Sequence, residues 1–360
     1  MRRWVLRAGA ALLGLLALAA GAFVLVPPVR AGGKAVAVVA RSLGIPFPRP
    51  FAHRVVEREV ELRPGLVGDL YDPGRGSPAV VLAHGAAPEG KDDPRIERVA
   101  RSLAGAGRRV FVPDLELRHE RFVWKDVERI LGAAAALARD GGGRRVGLVG
   151  VSYGGSFCLL AAEQPVARGL LAFVAVFGSY HDLLGIVQGV TTGATTFEGR
   201  VVPWETVPEA RDILTQAALG LLEPEARAVV EEALARGDRG LLPPGLRPVF
   251  DLLTNTDPRR TYRLARRLPA PVRRELRRFS PGPDLDRLAA PLFVMQSEHD
   301  PATPPTEALK LHRAVPGSRL VLLGSFRHVE PPGSAGTLVR SAPDLWGAWK
   351  FAFWVLAAQE

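Results

Sequence analysis

Three residues of this chain, in the order Ser152, Asp300, His328, carry the side chains of nucleophilic acyl chemistry. A serine hydroxyl is a weak nucleophile until an imidazole takes its proton, and the imidazole works best when a carboxylate fixes its tautomer. Ser152 lies in Gly150-Val151-Ser152-Tyr153-Gly154, a G-x-S-x-G pattern that means little by itself in a chain with 38 glycines. Its context carries the weight. The apolar run Arg145–Val149 precedes it and the small-residue stretch Gly154–Ala162 follows, which reads as strand, sharp turn and helix. Pro291–Gln296 reads as a buried strand running into Ser297-Glu298-His299-Asp300-Pro301. Arg319–Leu323 reads as the next, followed by Gly324-Ser325-Phe326-Arg327-His328. Polar groups at the carboxyl ends of three parallel strands converge on one edge of a sheet.

Each assignment has a plainer competitor. Ser152 is alternatively an ordinary turn serine. Asp300 is alternatively the cap of a helix beginning near Thr303, with Glu298 as the rival acid. Among the seven histidines, His299 is the competing base, but it adjoins the acid it would need. His84 reads as structural, and His119, His181 and His312 as surface or capping groups.

These residues require a frame of alternating strands and helices, and the sequence supplies one. Val55–Leu62 and Leu66–Tyr71 read as an opening antiparallel pair turned at Pro64-Gly65. Asp93-Pro94 starts a helix through Leu103, and Lys125–Arg139 forms another, stopped by three glycines. Leu170–Phe177 reads as a buried strand. Such alternation predicts a mostly parallel sheet covered by helices on both faces.

Over roughly residues 54–358 the chain resembles the α/β-hydrolase family. His84-Gly85, after the strand Ala79–Ala83, resembles that family's oxyanion loop, and Val110–Asp114 its next strand and turn. Gly150–Gly154 resembles its nucleophile elbow, with Ser152 as nucleophile, Asp300 as acid and His328 as base. The resemblance implies an oxyanion hole from the backbone N–H groups of Tyr153 and of Ala86 or its neighbour Ala87. After Asp114, Leu115-Glu116-Leu117-Arg118-His119 lacks the Gly-rich turn of many relatives, so no subfamily follows. The expected class is α/β, with a core in two parts, residues 54–182 and 286–360, and a helical cap inserted between them over residues 183–285. The resemblance implies a serine hydrolase acting on carboxylic esters, esterase- or lipase-like, with neither metal nor organic cofactor. A peptidase or thioesterase using the same three residues, and a catalytically silent binding module, are the alternatives.

Residues 1–53 are expected to form an anchor and a juxtamembrane linker. Arg2, Arg3 and Arg7 precede Ala8–Val26, which carry no charge, and Pro27-Pro28 close the stretch. That length suffices for a single transmembrane helix; a cleaved signal peptide is the alternative, and would make the protein secreted. The basic residues on the two flanks tie in number, and their clustering at the amino terminus favours a catalytic domain outside the cytoplasm. A lipid-like or other small acyl substrate fits such a location.

The formal net charge of +10 is concentrated. Residues 1–50 hold seven basic and no acidic residues, and Asp257–Arg278 holds nine arginines against two acids, so the remainder is net acidic. Without aromatic interleaving this does not describe a nucleic-acid surface. The Arg-rich cap segment 259–278 places Val272, Leu276 and Phe279 on one helical face, to pack into the cap or to dock on anionic lipid. Cys158, the sole cysteine, excludes an internal disulfide and falls where a small buried residue is expected. The C-terminal Leu345–Leu356 is too short to span a bilayer and reads as a helix packed on the sheet. Nothing in the sequence sets the oligomeric state.

Overall fold

The computed structural model describes residues 26–45, 53–330 and 341–359. In chain order its strands are β1 (Val56–Arg63), β2 (Leu66–Asp72), β3 (Ala79–Ala83), β4 (Arg109–Pro113), β5 (Val146–Val151), β6 (Leu171–Phe177), β7 (Ala194–Phe197), β8 (Arg200–Pro203), β9 (Leu292–Ser297) and β10 (Arg319–Leu323). The helices are α1 (Pro27–Ser42), α2 (Pro94–Gly105), α3 (Trp124–Asp140), α4 (Tyr153–Ala162), α5 (Leu183–Thr192), α6 (Pro208–Gly220), α7 (Pro224–Arg236), α8 (Arg247–Leu253), α9 (Thr261–Ala265), α10 (Ala270–Arg278), α11 (Pro305–Ala314) and α12 (Ala342–Ala357).

Eight strands form one sheet in the order β1-β2-β4-β3-β5-β6-β9-β10. Only β1 and β2 break the parallel run: β1 pairs antiparallel with β2, and β2 antiparallel with β4. β3 and β5 are apolar along nearly their whole length because helices cover both faces, whereas β1 alternates polar and apolar at the edge. One face packs on α3, α4 and the inserted segment, through Phe111, Ile130, Phe157 and Val174. The other packs on α1, α2 and α12, through Val80, Leu103, Phe173 and Val355. Cys158 is fully buried on α4, as its position predicts.

Two expectations are corrected. Residues 27–42, expected as a linker, form α1. Ala31, Ala35 and Val38 recur at helical spacing, are buried, and pack against α2 and α12. Trp349 Nε1 donates to Gly32 O at 3.0 Å. Nor is the inserted segment wholly helical. β7 and β8 form a hairpin across Glu198-Gly199, whose φ values of 51° and 75° suit a tight primed turn. The expected span Ala8–Val26 lies, Val26 apart, outside the described residues; among those, no helix is long and apolar enough to cross a membrane.

The Arg-rich segment packs as its apolar spacing predicts. Val272, Leu276 and Phe279 are buried, and Phe279 stacks on Phe157 of the core with ring centroids 5.7 Å apart. Arg278 lies over the Trp124 ring at 4.4 Å while its neighbours Arg274 and Arg277 face outward.

Candidate active site

β5 ends at Val151, and Ser152 follows with φ 54° and ψ −133° before α4 begins at Tyr153. A non-glycine residue there is strained at a cost of order 1–3 kcal/mol and persists only where its surroundings over-determine it. Three hydrogen bonds hold this turn. Ser152 N donates to Phe177 O at 2.7 Å; Ser152 O accepts from Gly155 N at 3.0 Å and from Ser179 Oγ at 2.9 Å. Packing adds to them. A Cβ at Gly150 would stand 2.3 Å from Gly155 Cα, and one at Gly154 would stand 2.1 Å from His84 O. Both glycines are therefore required by close approach of elbow, helix and the loop after β3.

That loop is fixed by His84, which is 1% exposed. Its Nε2 accepts from Leu115 N at 3.3 Å, so Nδ1 carries the proton and donates to Gly85 O at 2.8 Å. Burial also lowers its pKa, and the ring is a neutral strut. A Cβ at Gly85 would lie 2.9 Å from Ser152 Cβ, which brings the loop's backbone directly against the serine. Ala86 follows at the rim of the same cavity as Tyr153, whose N–H heads α4 and has no intrahelical acceptor.

β9 delivers Asp300. It is 1% exposed and accepts from four donors: Ala302 N and Thr303 N, each at 2.8 Å; Gln296 Nε2 at 2.7 Å; and His328 Nδ1 at 3.0 and 2.8 Å to its two oxygens. Asp300 thus shapes the loop Asp300–Thr303 and bonds to His328 rather than capping the helix, whose N-cap is Pro304. The rivals Glu298 and His299 are exposed. α11 begins at Pro305, two residues beyond the expected Thr303.

β10 delivers His328 through a loop held from below. Asp344, in the first turn of α12, accepts from Gly324 N at 2.9 Å, from Ser325 N at 2.7 Å and from Ser325 Oγ. Ser297 Oγ at the end of β9 donates to Phe326 O. Gly178, at φ 69°, gives way to the imidazole: a Cβ there would lie 3.0 Å from His328 Cε1. With Nδ1 on Asp300, the Nε2 edge of His328 remains for the cavity of about 450 Å³ that it lines together with Ser152, Gly85, Ala86 and Tyr153. Ala210, Asp212 and Ile213 of α6 close the cap side of that cavity. Such an arrangement puts a serine hydroxyl and a carboxylate-paired imidazole on one cavity, beside the backbone of Ala86 and Tyr153.

Ser152, Tyr153, His84, Gly85, Ala86 and His328 line this one cavity, Asp300 is bonded to His328, and Gly150 and Gly154 flank the serine, whereas Glu298 and His299 face outward. Other contributors were not foreseen. Gln296 ends the apolar run of β9 as a buried amide, and such a group needs a partner; that need was the available signal. Trp204 comes from the inserted segment, with Nε1 donating to Asp300 O at 2.6 Å, and no local pattern marks it. Among the described residues no cluster of His, Cys, Asp and Glu is arranged to hold a metal.

A strained serine between strand and helix, with a His–Asp pair delivered from the ends of two later strands of a mostly parallel sheet, is an α/β-hydrolase arrangement. The Alpha/beta hydrolase family model matches residues 80–343, and the chain belongs to that family. No curated protein is significantly similar in sequence. Solved structures that resemble it include an α/β hydrolase superfamily protein from Enterococcus faecalis, 16% identical, covering 84% of this chain and 99% of that one with a TM-score of 0.49. A putative lipase from Acinetobacter baumannii is 14% identical, over 87% and 96% of the two chains, with a TM-score of 0.45. A dienelactone hydrolase from Anabaena variabilis is 18% identical, over 82% and 97%, with a TM-score of 0.43.

Proposed function

We propose that this protein is a serine hydrolase that cleaves carboxylic esters through an acyl-enzyme. The observation that carries this is the His328–Asp300 hydrogen bond, made at the cavity that also holds the strained Ser152. Ser152 Oγ attacks the acyl carbon while His328 Nε2 takes its proton. Asp300 keeps the other proton on Nδ1 and stabilises the imidazolium that forms. The N–H groups of Tyr153 and Ala86 donate to the oxyanion of the tetrahedral intermediate, where losing one donor costs on the order of 10²–10³ in rate. His328 then returns its proton to the alkoxide as the C–O bond breaks. In the second half His328 takes a proton from water, the resulting attack forms a second tetrahedral intermediate, and its collapse releases the acid and restores Ser152.

Attachment to a membrane through residues 8–26, with the catalytic part outside the cytoplasm, belongs to the same proposal and is supported by the uncharged composition of that stretch. Hydrolysis of a nitrophenyl acetate by the full chain tests the chemistry. A Ser152-dependent burst of nitrophenol, matched by acetylation of the peptide containing Ser152, is the expected result; turnover that survives Ser152→Ala overturns it.

A further inference from the structure

A second cavity lies on the opposite side of the nucleophile from the cap. Its walls are Val38 of α1, Val99 of α2, and Phe351 and Ala352 of α12, and its floor is Val151 and Phe177 at the ends of β5 and β6. The volume is about 160 Å³, and no described residue of the inserted segment 183–285 contributes to it. Val151 directly precedes the nucleophile and Val329 directly follows the base. These two, with Arg95 and Ile96, line both this cavity and the catalytic one. The two cavities therefore share a wall at these four residues, and one of them, Val151, adjoins Ser152.

We propose that this apolar cavity is the acyl subsite of the enzyme and takes an unbranched acyl chain of about six carbons, an inference that rests on the serine-hydrolase reading above. Protein interiors are close-packed and leave few voids larger than a water molecule. An unfilled apolar void costs stability in proportion to its volume and stays dry. A partly open apolar cavity of this size, one residue from the nucleophile along β5, is suited to a ligand. Its lining selects the ligand's chemistry: valine, leucine, isoleucine, phenylalanine and methionine side chains dominate. The Arg95 guanidinium at the lip is engaged by Asp93 at 2.6 Å and Glu330 at 2.5 Å. That lining suits a hydrocarbon chain. The size sets its length, since a dry cavity of about 150 Å³ holds a six-carbon ring. The cap side of the catalytic cavity, where Asp212 and Glu120 lie, is left for the leaving alcohol. The helix α1 thus becomes a wall of the substrate site.

The test measures kcat/KM of the full chain for nitrophenyl esters from acetate to dodecanoate. Each methylene moved from water into the cavity gains about fourfold. The expected profile therefore rises on the order of 10² from acetate to hexanoate and falls beyond it. Ala352→Leu fills the void and is expected to lower the hexanoate-to-acetate ratio at least tenfold, while Phe351→Ala moves the maximum to longer chains. Should either variant not fold, the profile of the unaltered protein decides. Ser152-dependent hydrolysis with a flat or falling profile overturns the acyl subsite alone. Absence of Ser152-dependent hydrolysis for every ester overturns the hydrolase reading and the subsite with it.

Discussion

Asp300 carries more hydrogen bonds than any other carboxylate at the site, and their division explains how one residue serves both structure and chemistry. Oδ1 accepts from Ala302 N and Thr303 N and so shapes its own loop, while Oδ2 accepts from Gln296 Nε2 and, at the shorter distance, from His328 Nδ1. Replacing it by asparagine keeps the shape and removes the charge, and the amide's N–H pair faces other donors. The imidazole is then free to take the wrong tautomer. Asp300→Asn is expected to lower kcat on the order of 10⁴ with little change in KM, by analogy with the same change in a serine protease triad. Steady-state kinetics with an aryl ester checks it; a loss below tenfold would remove Asp300 from the role of orienting acid. At this scale the sequence was informative. Ser152, Asp300 and His328 each follow a strand that an apolar run announces, and the roles proposed for them come from the family resemblance. Trp204 was not legible as a partner of Asp300, because a hydrogen bond between residues 96 apart leaves no periodicity, and Gln296, four residues from Asp300, was legible only as a buried amide in need of a partner.

The elements position the site by their ends. β5 leads into Ser152 and β9 into Asp300, and the short loop after β10 carries His328, with α12 serving as that loop's foundation through Asp344. That carboxylate gathers the N–H groups of Gly324 and Ser325 and so sets where His328 begins its approach. Asp344→Ala leaves those donors without their acceptor. A fall in kcat of about tenfold or more is expected, with a lower Tm, while Asp344→Asn recovers part of each because one oxygen remains. If both variants match the unaltered protein in kcat, α12 does not position the base. Strands, and helices with strong starts such as Asp93-Pro94, were legible from pattern. α1 and the β7–β8 hairpin were not. The first is rich in alanine and glycine, so its buried stripe is weak in hydropathy and gains meaning only against α12. The second is two four-residue runs inside a helical stretch.

At the scale of the whole molecule, one buried group ties stability to pH. Glu163, at the end of α4, is 5% exposed, and its Oε1 is buried without a described partner. Burial, reinforced by Asp284, pushes its carboxyl up to about 9 from 4.5. Between those values the folded protein keeps a proton that the unfolded chain has released. The stability present below pH 4.5 is therefore lost progressively as pH rises towards 9. Glu163→Gln removes that linkage. The variant's Tm is expected to gain on the unaltered protein between pH 5 and about 8.5, measured by calorimetry at fixed ionic strength; parallel Tm curves would show that Glu163 ionises freely. A mostly parallel sheet is expected from the alternating pattern, and a segment inserted over residues 183–285 from the family resemblance. The cavity behind Ser152 is not, since it exists only where three helices from opposite ends of the chain meet.

The central claim is that Ser152 is an activated nucleophile. Its most direct test is labelling of the full chain by a fluorophosphonate, followed by mapping of the modified peptide. The account predicts stoichiometric modification of Ser152, abolished in Ser152→Ala and strongly slowed in His328→Ala. Modification at another residue, or labelling of Ser152 at an undiminished rate without His328, would contradict it.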